Sequence, residues 1–247
     1  MPSYVRDYFV AESTAGPCRR PAIHSHIAPA GLSAMVGAMT DARPFDNTPG
    51  RKKAGWILFG IAAIEGVWVV MNLMYKPAGF FRYMGFGSTN PASMWGWLAA
   101  LVVTVLFVRA SLRFPSVREN LFRPSGLKLL GLAVAVTAGM LEEVMFRKWI
   151  MDALLTRGFG WLPQILASAL AFGLLHGVWG LMGRSIRAAI GATVATGALG
   201  GALAVVYLLS ARNLAPCVVA HFLINALIEP GLVLAATRGE MGRRVAG

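Results

Sequence analysis

Six stretches of the chain are apolar, and most polar residues are gathered between them. The apolar runs cover about 55–75, 92–108, 129–155, 161–182, 190–209 and 216–236. Each is long enough to cross the hydrocarbon layer of a bilayer as a helix. The segments between them carry turn and interface signals. Residues 76–91 hold glycines with Phe80, Phe81, Tyr83 and Phe86, the composition of a loop at a membrane surface. Arg157-Gly158-Phe159-Gly160 reads as a turn. The fifth run is rich in small residues (Gly191, Ala192, Gly197, Gly200, Gly201), as in a closely packed interior membrane helix. Pro216 suits the opening turn of the sixth, and Pro230 is expected to kink it. The pattern predicts an all-α, polytopic membrane helix bundle with about six transmembrane helices. Residues 1–50 are polar and read as a poorly ordered N-terminal tail, leaving 51–247 as the transmembrane domain.

Composition supports that class. The chain has 247 residues, of which 56% are hydrophobic and 14% charged. Soluble domains carry about 25% charged residues. A net charge of +12 would suggest nucleic acid in a soluble protein. Here no recognition motif supports a nucleic-acid partner, and the positives lie in the tail and short loops. Arg51-Lys52-Lys53 precede the first run. Arg109, Arg113, Arg118, Arg123 and Lys128 fill the loop after the second, Arg184 and Arg187 the loop after the fourth, and Arg238, Arg243 and Arg244 follow the last. By the positive-inside rule these segments, and both termini, are expected in the cytoplasm, with membrane lipids as partners. Arginine exceeds lysine, which points to a GC-rich bacterial genome, and a bacterial inner membrane is the expected location. No removable signal peptide is evident, and Met35 and Met39 are alternative starts. His24 and His26 read as solvated tail residues. Cys18 and Cys217 are not expected to form a disulfide.

Charges inside an apolar run are costly, about 3 kcal/mol each on insertion scales. The third run nevertheless contains Glu142, Glu143 and Arg147. In a helix, Glu143 and Arg147 are four apart and can pair. Glu142 is rotated by roughly 100° and has no such local partner. The fourth run contains Phe172 and His176 on one face, next to the small residues Ala167, Ser168, Ala169, Ala171 and Gly173. The sixth contains His221 and Asn225, again on one face. At about 1.5 Å of rise per residue, Glu142, His176, His221 and Asn225 can all reach the middle of the bilayer. Together they could activate a water with a carboxylate and a histidine, and steady the resulting oxyanion with a second histidine and an amide. Two further carboxyls lie in spans. Glu65 is expected to be protonated or hydrogen-bonded to a neighbouring helix. Glu229 reads equally as a partner of the site or as an interior polar residue.

The ordered trio Glu142-Glu143-xxx-Arg147, Phe172-xxx-His176 and His221-xxx-Asn225 resembles the three signature motifs of the CPBP intramembrane proteases. That family groups CAAX prenyl endopeptidases with bacteriocin-processing and self-immunity proteins. The resemblance covers about 129–236. It implies an intramembrane endopeptidase of glutamic type, acting on a membrane-anchored protein or peptide, lipidated or not. Glu142 would be the general base, assisted by His176, and His221 and Asn225 would form the oxyanion hole. Glu143 and Arg147 would be a structural pair, and Phe172 would line the site. No cofactor is expected on this reading. A zinc enzyme with Glu142, His176 and His221 as ligands would use the same residues. The polar set is also compatible with a non-catalytic scaffold or bacteriocin-immunity protein on the same fold, and with a proton or ion path through Glu65, Glu142 and Glu229.

Overall fold

A computed structural model describes residues 49–182 and 185–242. The expectations for the tail to residue 48, with Cys18, His24, His26, Met35 and Met39, and for Arg184, Arg243 and Arg244 lie outside the described residues. The described chain is helical, with no strand among the described residues. In order it forms α1 (Pro49–Tyr75), α2 (Pro77–Tyr83), α3 (Met94–Ser111), α4 (Pro115–Asn120) and α5 (Gly126–Glu143). A π-helical stretch (Val144–Met151) continues α5 into α6 (Asp152–Thr156). Then come α7 (Trp161–His176), α8 (Val178–Met182), α9 (Ile186–Leu209), α10 (Ala215–Thr237) and a single 3₁₀ turn (Glu240–Gly242).

Six helices are long and apolar enough to span a membrane, the third being the composite Gly126–Thr156. Their starts are set by local chemistry. Ser93, Ser125 and Ser185 each accept a hydrogen bond from a first-turn amide of α3, α5 and α9, satisfying a donor that the helix itself cannot. α2, α4 and α10 begin with a proline in the first turn, where the missing N–H costs nothing.

α10 is the centre of the bundle. In its apolar window 61% is buried, against 11% for α1 and 22% for α3 and α7. It packs against α5, α3, α4 and α1, while α9 lies along α7. The outer helices turn large side chains such as Ile64, Leu106, Leu170 and Val194 outward, as expected where lipid is the solvent.

Two expectations are corrected. The 76–91 segment is not all loop: α2 folds there, burying Phe80 beneath Trp68 at 5.8 Å between rings. Lys128 is not a loop cation. It lies in the first turn of α5, and its Nζ donates inward to the carbonyls of Leu121 (2.8 Å) and Leu227 (3.0 Å). Pro230 lies inside α10, which continues past it to Thr237. A proline leaves the carbonyl four residues earlier, here that of Ala226, without its helical donor; Lys128 donates to the next carbonyl, that of Leu227. The proline ring nests against Gly131 of α5, where a Cβ would overlap it.

Glycine also sets the α7–α9 contact. A Cβ on Gly173 would lie 2.5 Å from the carbonyl oxygen of Thr193 and 3.0 Å from Cα of Gly197. Both are backbone atoms and cannot swing aside. We therefore expect Gly173→Ala to cost about 1–3 kcal/mol, the usual range for overpacking. Gly60→Ala, with no atom within 4 Å of the new Cβ, should be neutral or stabilising. Thermal unfolding of the two variants in detergent, compared with the parent protein, tests this pair.

Candidate active site

The last two residues of α5, two residues of α7 and two of α10 converge inside the bundle. Glu143 and Arg147 are fully buried. Nε of Arg147 lies 2.9 Å from Oε2 of Glu143, and Nη2 donates to Oε1 at 3.3 Å. Nη1 donates to Ser168 Oγ at 3.1 Å, which ties the pair to α7. The guanidinium also lies 5.4 Å from the ring of Phe172. The i,i+4 pairing expected from sequence is therefore present.

Sequence reasoning missed the second partner of Glu143. His221, only 2% exposed, places Nδ1 2.7 Å from Oε1 of Glu143. One carboxylate thus joins α5 to α7 through Arg147 and to α10 through His221. The bond also fixes the imidazole: Nδ1–H donates to the carboxylate and Nε2 points away from it. His176 is held in the same sense, with Nδ1 2.8 Å from the carbonyl oxygen of Phe172. A carbonyl can only accept, so Nδ1 carries the proton and Nε2 is the free position. The Phe172 ring stacks on His176 at 4.5 Å and 19°, and lies 5.7 Å from the His221 ring. Gly200 of α9 makes room for it, since a Cβ there would approach Phe172 Cβ to 2.8 Å.

Both free Nε2 atoms face one oxygen. Oε2 of Glu142 lies 3.8 Å from Nε2 of His176 and 3.8 Å from Nε2 of His221. It is buried and has no hydrogen-bond partner among the described residues. The structure thus brings Glu142, His176 and His221 together from three helices. Asn225 is buried one turn beyond His221. It lines a cleft with His176, His221 and Phe172, and its side chain forms no hydrogen bond with the described residues.

The space in this cleft that water can fill is about 120 Å³, and the cleft is partly open to the outside. α9 forms one wall and α10 another, and it extends from the histidines to Arg113 and Phe114 after α3. Glu229 lines it two turns beyond His221. Glu65 accepts a hydrogen bond from Thr137 of α5 at 2.9 Å, the neighbouring-helix partner expected for it.

The fit to zinc is poor. Four ligands at about 2.0–2.1 Å in tetrahedral array stand roughly 3.3 Å apart, and the two separations from Glu142 are both 3.8 Å. Among the described residues no group of three or more His, Cys, Asp or Glu side chains has the geometry to hold a metal.

Residues 124–227 match a family model described as type II CAAX prenyl endopeptidase, Rce1-like. The matched region runs from the start of α5 into α10 and includes all seven residues of the three motifs. No curated protein and no solved structure matches the chain.

The arrangement predicts an asymmetric response to mutation. Arg147→Met leaves the Glu143 carboxylate buried with its main counter-charge gone, and should cost about 3–5 kcal/mol. Adding Glu143→Leu removes the stranded charge and should recover much of that loss. Unfolding midpoints of the single and double variants in detergent measure both effects.

Proposed function

We propose that this multi-pass membrane protein is an intramembrane endopeptidase in which Glu142 activates the attacking water, a reading supported by the match of residues 124–227 to the type II CAAX prenyl endopeptidase model. The observation that carries the reading is the buried Glu142 oxygen, without a hydrogen-bond partner among the described residues and equidistant from two imidazole nitrogens.

At 3.8 Å, Glu142 and His176 are too far apart for a direct hydrogen bond. Both present acceptors, the carboxylate oxygen and the unprotonated Nε2. A water placed about 2.8 Å from each can donate one hydrogen to each. Transfer of one proton to Glu142 leaves a hydroxide aimed into the cleft. It adds to the carbonyl carbon of the scissile peptide bond, and charge moves to the carbonyl oxygen. The proton held by Glu142, with His176 beside it, is then delivered to the departing amine.

His221 and Asn225 are suited to the oxyanion. Asn225 offers its amide N–H groups. His221 can donate from Nε2 only when doubly protonated, because its Nδ1–H is already committed to Glu143. The positive charge would then sit between Glu142 and Glu143. In this reading Glu143 and Arg147 do more than brace a helix: they set which His221 nitrogen faces the substrate.

The substrate is a membrane-anchored protein or peptide, and the basic end of the bundle, which carries Lys52, Arg113 and Arg238, faces the cytoplasm. Glu142→Gln and His176→Ala should each lower cleavage by about 10²–10⁴-fold, the usual contribution of positioned acid–base groups, with unfolding midpoints near that of the parent. Comparative proteomics of cells carrying the parent or Glu142→Gln reads which membrane proteins keep an uncut terminus. Identical termini in the two strains would defeat the assignment. Chelators should leave cleavage unchanged, and purified protein should carry zinc well below one equivalent by elemental analysis.

A further inference from the structure

The end of the bundle away from Lys52, Arg113 and Arg238 carries cations that topology does not call for. By the positive-inside rule it should be poor in them, yet Arg82, Lys148 and Arg212 converge there on one polar recess. No acidic residue lines that recess among the described residues. A single carboxylate behind it, Asp152, serves two of the three: Arg212 Nη1 lies 2.5 Å from its Oδ1 and Lys148 Nζ 3.6 Å from its Oδ2. Three cations against one carboxylate leave a net charge of +2.

The walls of the recess are fixed. Asn213, only 6% exposed, donates to the carbonyls of Gly85 (3.2 Å) and Asn90 (2.8 Å) and accepts from the amide of Ala215 (2.9 Å). Asn90 donates back to the carbonyl of Ala211 at 3.3 Å. The loop before α3 and the loop before α10 are thereby locked together, with the recess between them. Ala211 and Arg212 line it in left-handed backbone conformations, and backbone strain of this kind gathers at binding sites.

An aromatic groove adjoins the recess. Trp68, Phe80 and Trp149 line it, and Tyr83 lines both. Lys148 belongs to the recess and Trp149, the next residue, to the groove. The rings of Trp68 and Trp149 meet nearly at right angles, 6.4 Å apart. Exposed Tyr75, Trp95 and Trp161 stand at the same end of the bundle, at the close of α1 and the starts of α3 and α7. Such a belt marks the membrane–water boundary, which puts recess and groove at the level of the lipid headgroups.

We propose that this pair of sites binds one anionic glycerophospholipid, its phosphodiester in the recess and its glycerol and upper acyl chains along the aromatic groove. Charge complementarity selects the class. Phosphate oxygens match guanidinium groups by paired, charge-assisted hydrogen bonds, and a recess of net positive charge favours a headgroup with no cation of its own. Lys76, which lines the groove, disfavours choline and ethanolamine for the same reason. The site is remote from the histidines and does not depend on the protease reading.

Arg82 is the residue to vary. It is exposed, in the last turn of α2, and forms no hydrogen bond or ion pair with the described residues. Full-length protein in neutral detergent is titrated with dioleoylphosphatidylglycerol, dioleoylphosphatidylcholine, dioleoylglycerol or glycerol 3-phosphate, and adducts are counted by native mass spectrometry. One nearby cation is worth about fivefold in affinity for an anionic lipid. The first phosphatidylglycerol should therefore bind at least about fivefold more tightly than the choline lipid or the diacylglycerol. Arg82→Gln should weaken that adduct by about fivefold, and Arg82→Glu by more, with unfolding midpoints near that of the parent. Arg109→Gln and Arg118→Gln, at the opposite end of the bundle, should leave it unchanged. Equal affinity for the three lipids, an unchanged first adduct in Arg82→Gln, an equal loss in Arg109→Gln, or glycerol 3-phosphate binding as tightly as the lipid would overturn the proposal. Cleavage plays no part in this readout, so the two readings can fail separately.

Discussion

A single carboxylate, that of Glu143, is shared between a guanidinium four residues along its own helix and an imidazole on another. Both contacts are sealed from solvent, where an unpaired charge would be prohibitively costly. Each partner is needed for a different reason. Arg147 balances the charge and reaches Ser168 on α7. His221 gains a fixed tautomer. Three helices are thereby held in one arrangement, and Glu142, the next residue back along α5, is carried with them to face the histidines. The residue that holds the geometry and the residue proposed to do the chemistry are neighbours because a helix turns roughly 100° between them.

The surrounding packing serves that arrangement. Gly173 and Gly197 let α7 and α9 come together at backbone contact, and Gly200 leaves the space that the Phe172 ring fills. That ring lies against both imidazoles and near the Arg147 guanidinium. Apolar contact on these sides keeps competing donors away from the two Nε2 atoms. On the other side of the bundle, Pro230 nests into Gly131, and Lys128 donates to the carbonyl of Leu227 in the turn before it. α10 carries His221, Asn225 and Glu229 on one face.

Local contacts are legible in the sequence. Glu143 and Arg147 are four apart on one helix, and the six spans follow from run length alone. The trio of motifs points to the residues that meet. What stays hidden depends on partners distant along the chain. Nothing in the sequence says that His221 bonds Glu143, 78 positions earlier. Nor does it say that Thr137 caps the Glu65 carboxyl, or that Arg113 is left without a partner among the described residues while Arg238 is not. Lys128 misleads because a cation at the end of an apolar run looks the same whether it faces water or turns inward to a carbonyl. The outer clasp is also silent. Asp152 binds Tyr207, Lys148 and Arg212, and Arg212 reaches Gln164. It depends on Ala211 and Arg212 both adopting left-handed backbone angles, φ 52° and 61°, a conformation that neither residue favours.

The π-helical stretch at 144–151 connects these two ends of the bundle. Such a stretch amounts to one residue more than an α-helix would use over the same rise. It lies between the Glu142–Glu143 pair on one side and Asp152 on the other. Loss of one residue from it would wind the segment back to ordinary α geometry. Asp152 would then rotate by roughly 100° about the helix axis, away from Tyr207 and Arg212, while the acidic pair upstream stayed in place. The wide turn acts as a phase adjuster, letting one continuous rod satisfy two sets of neighbours that are out of step by a single position.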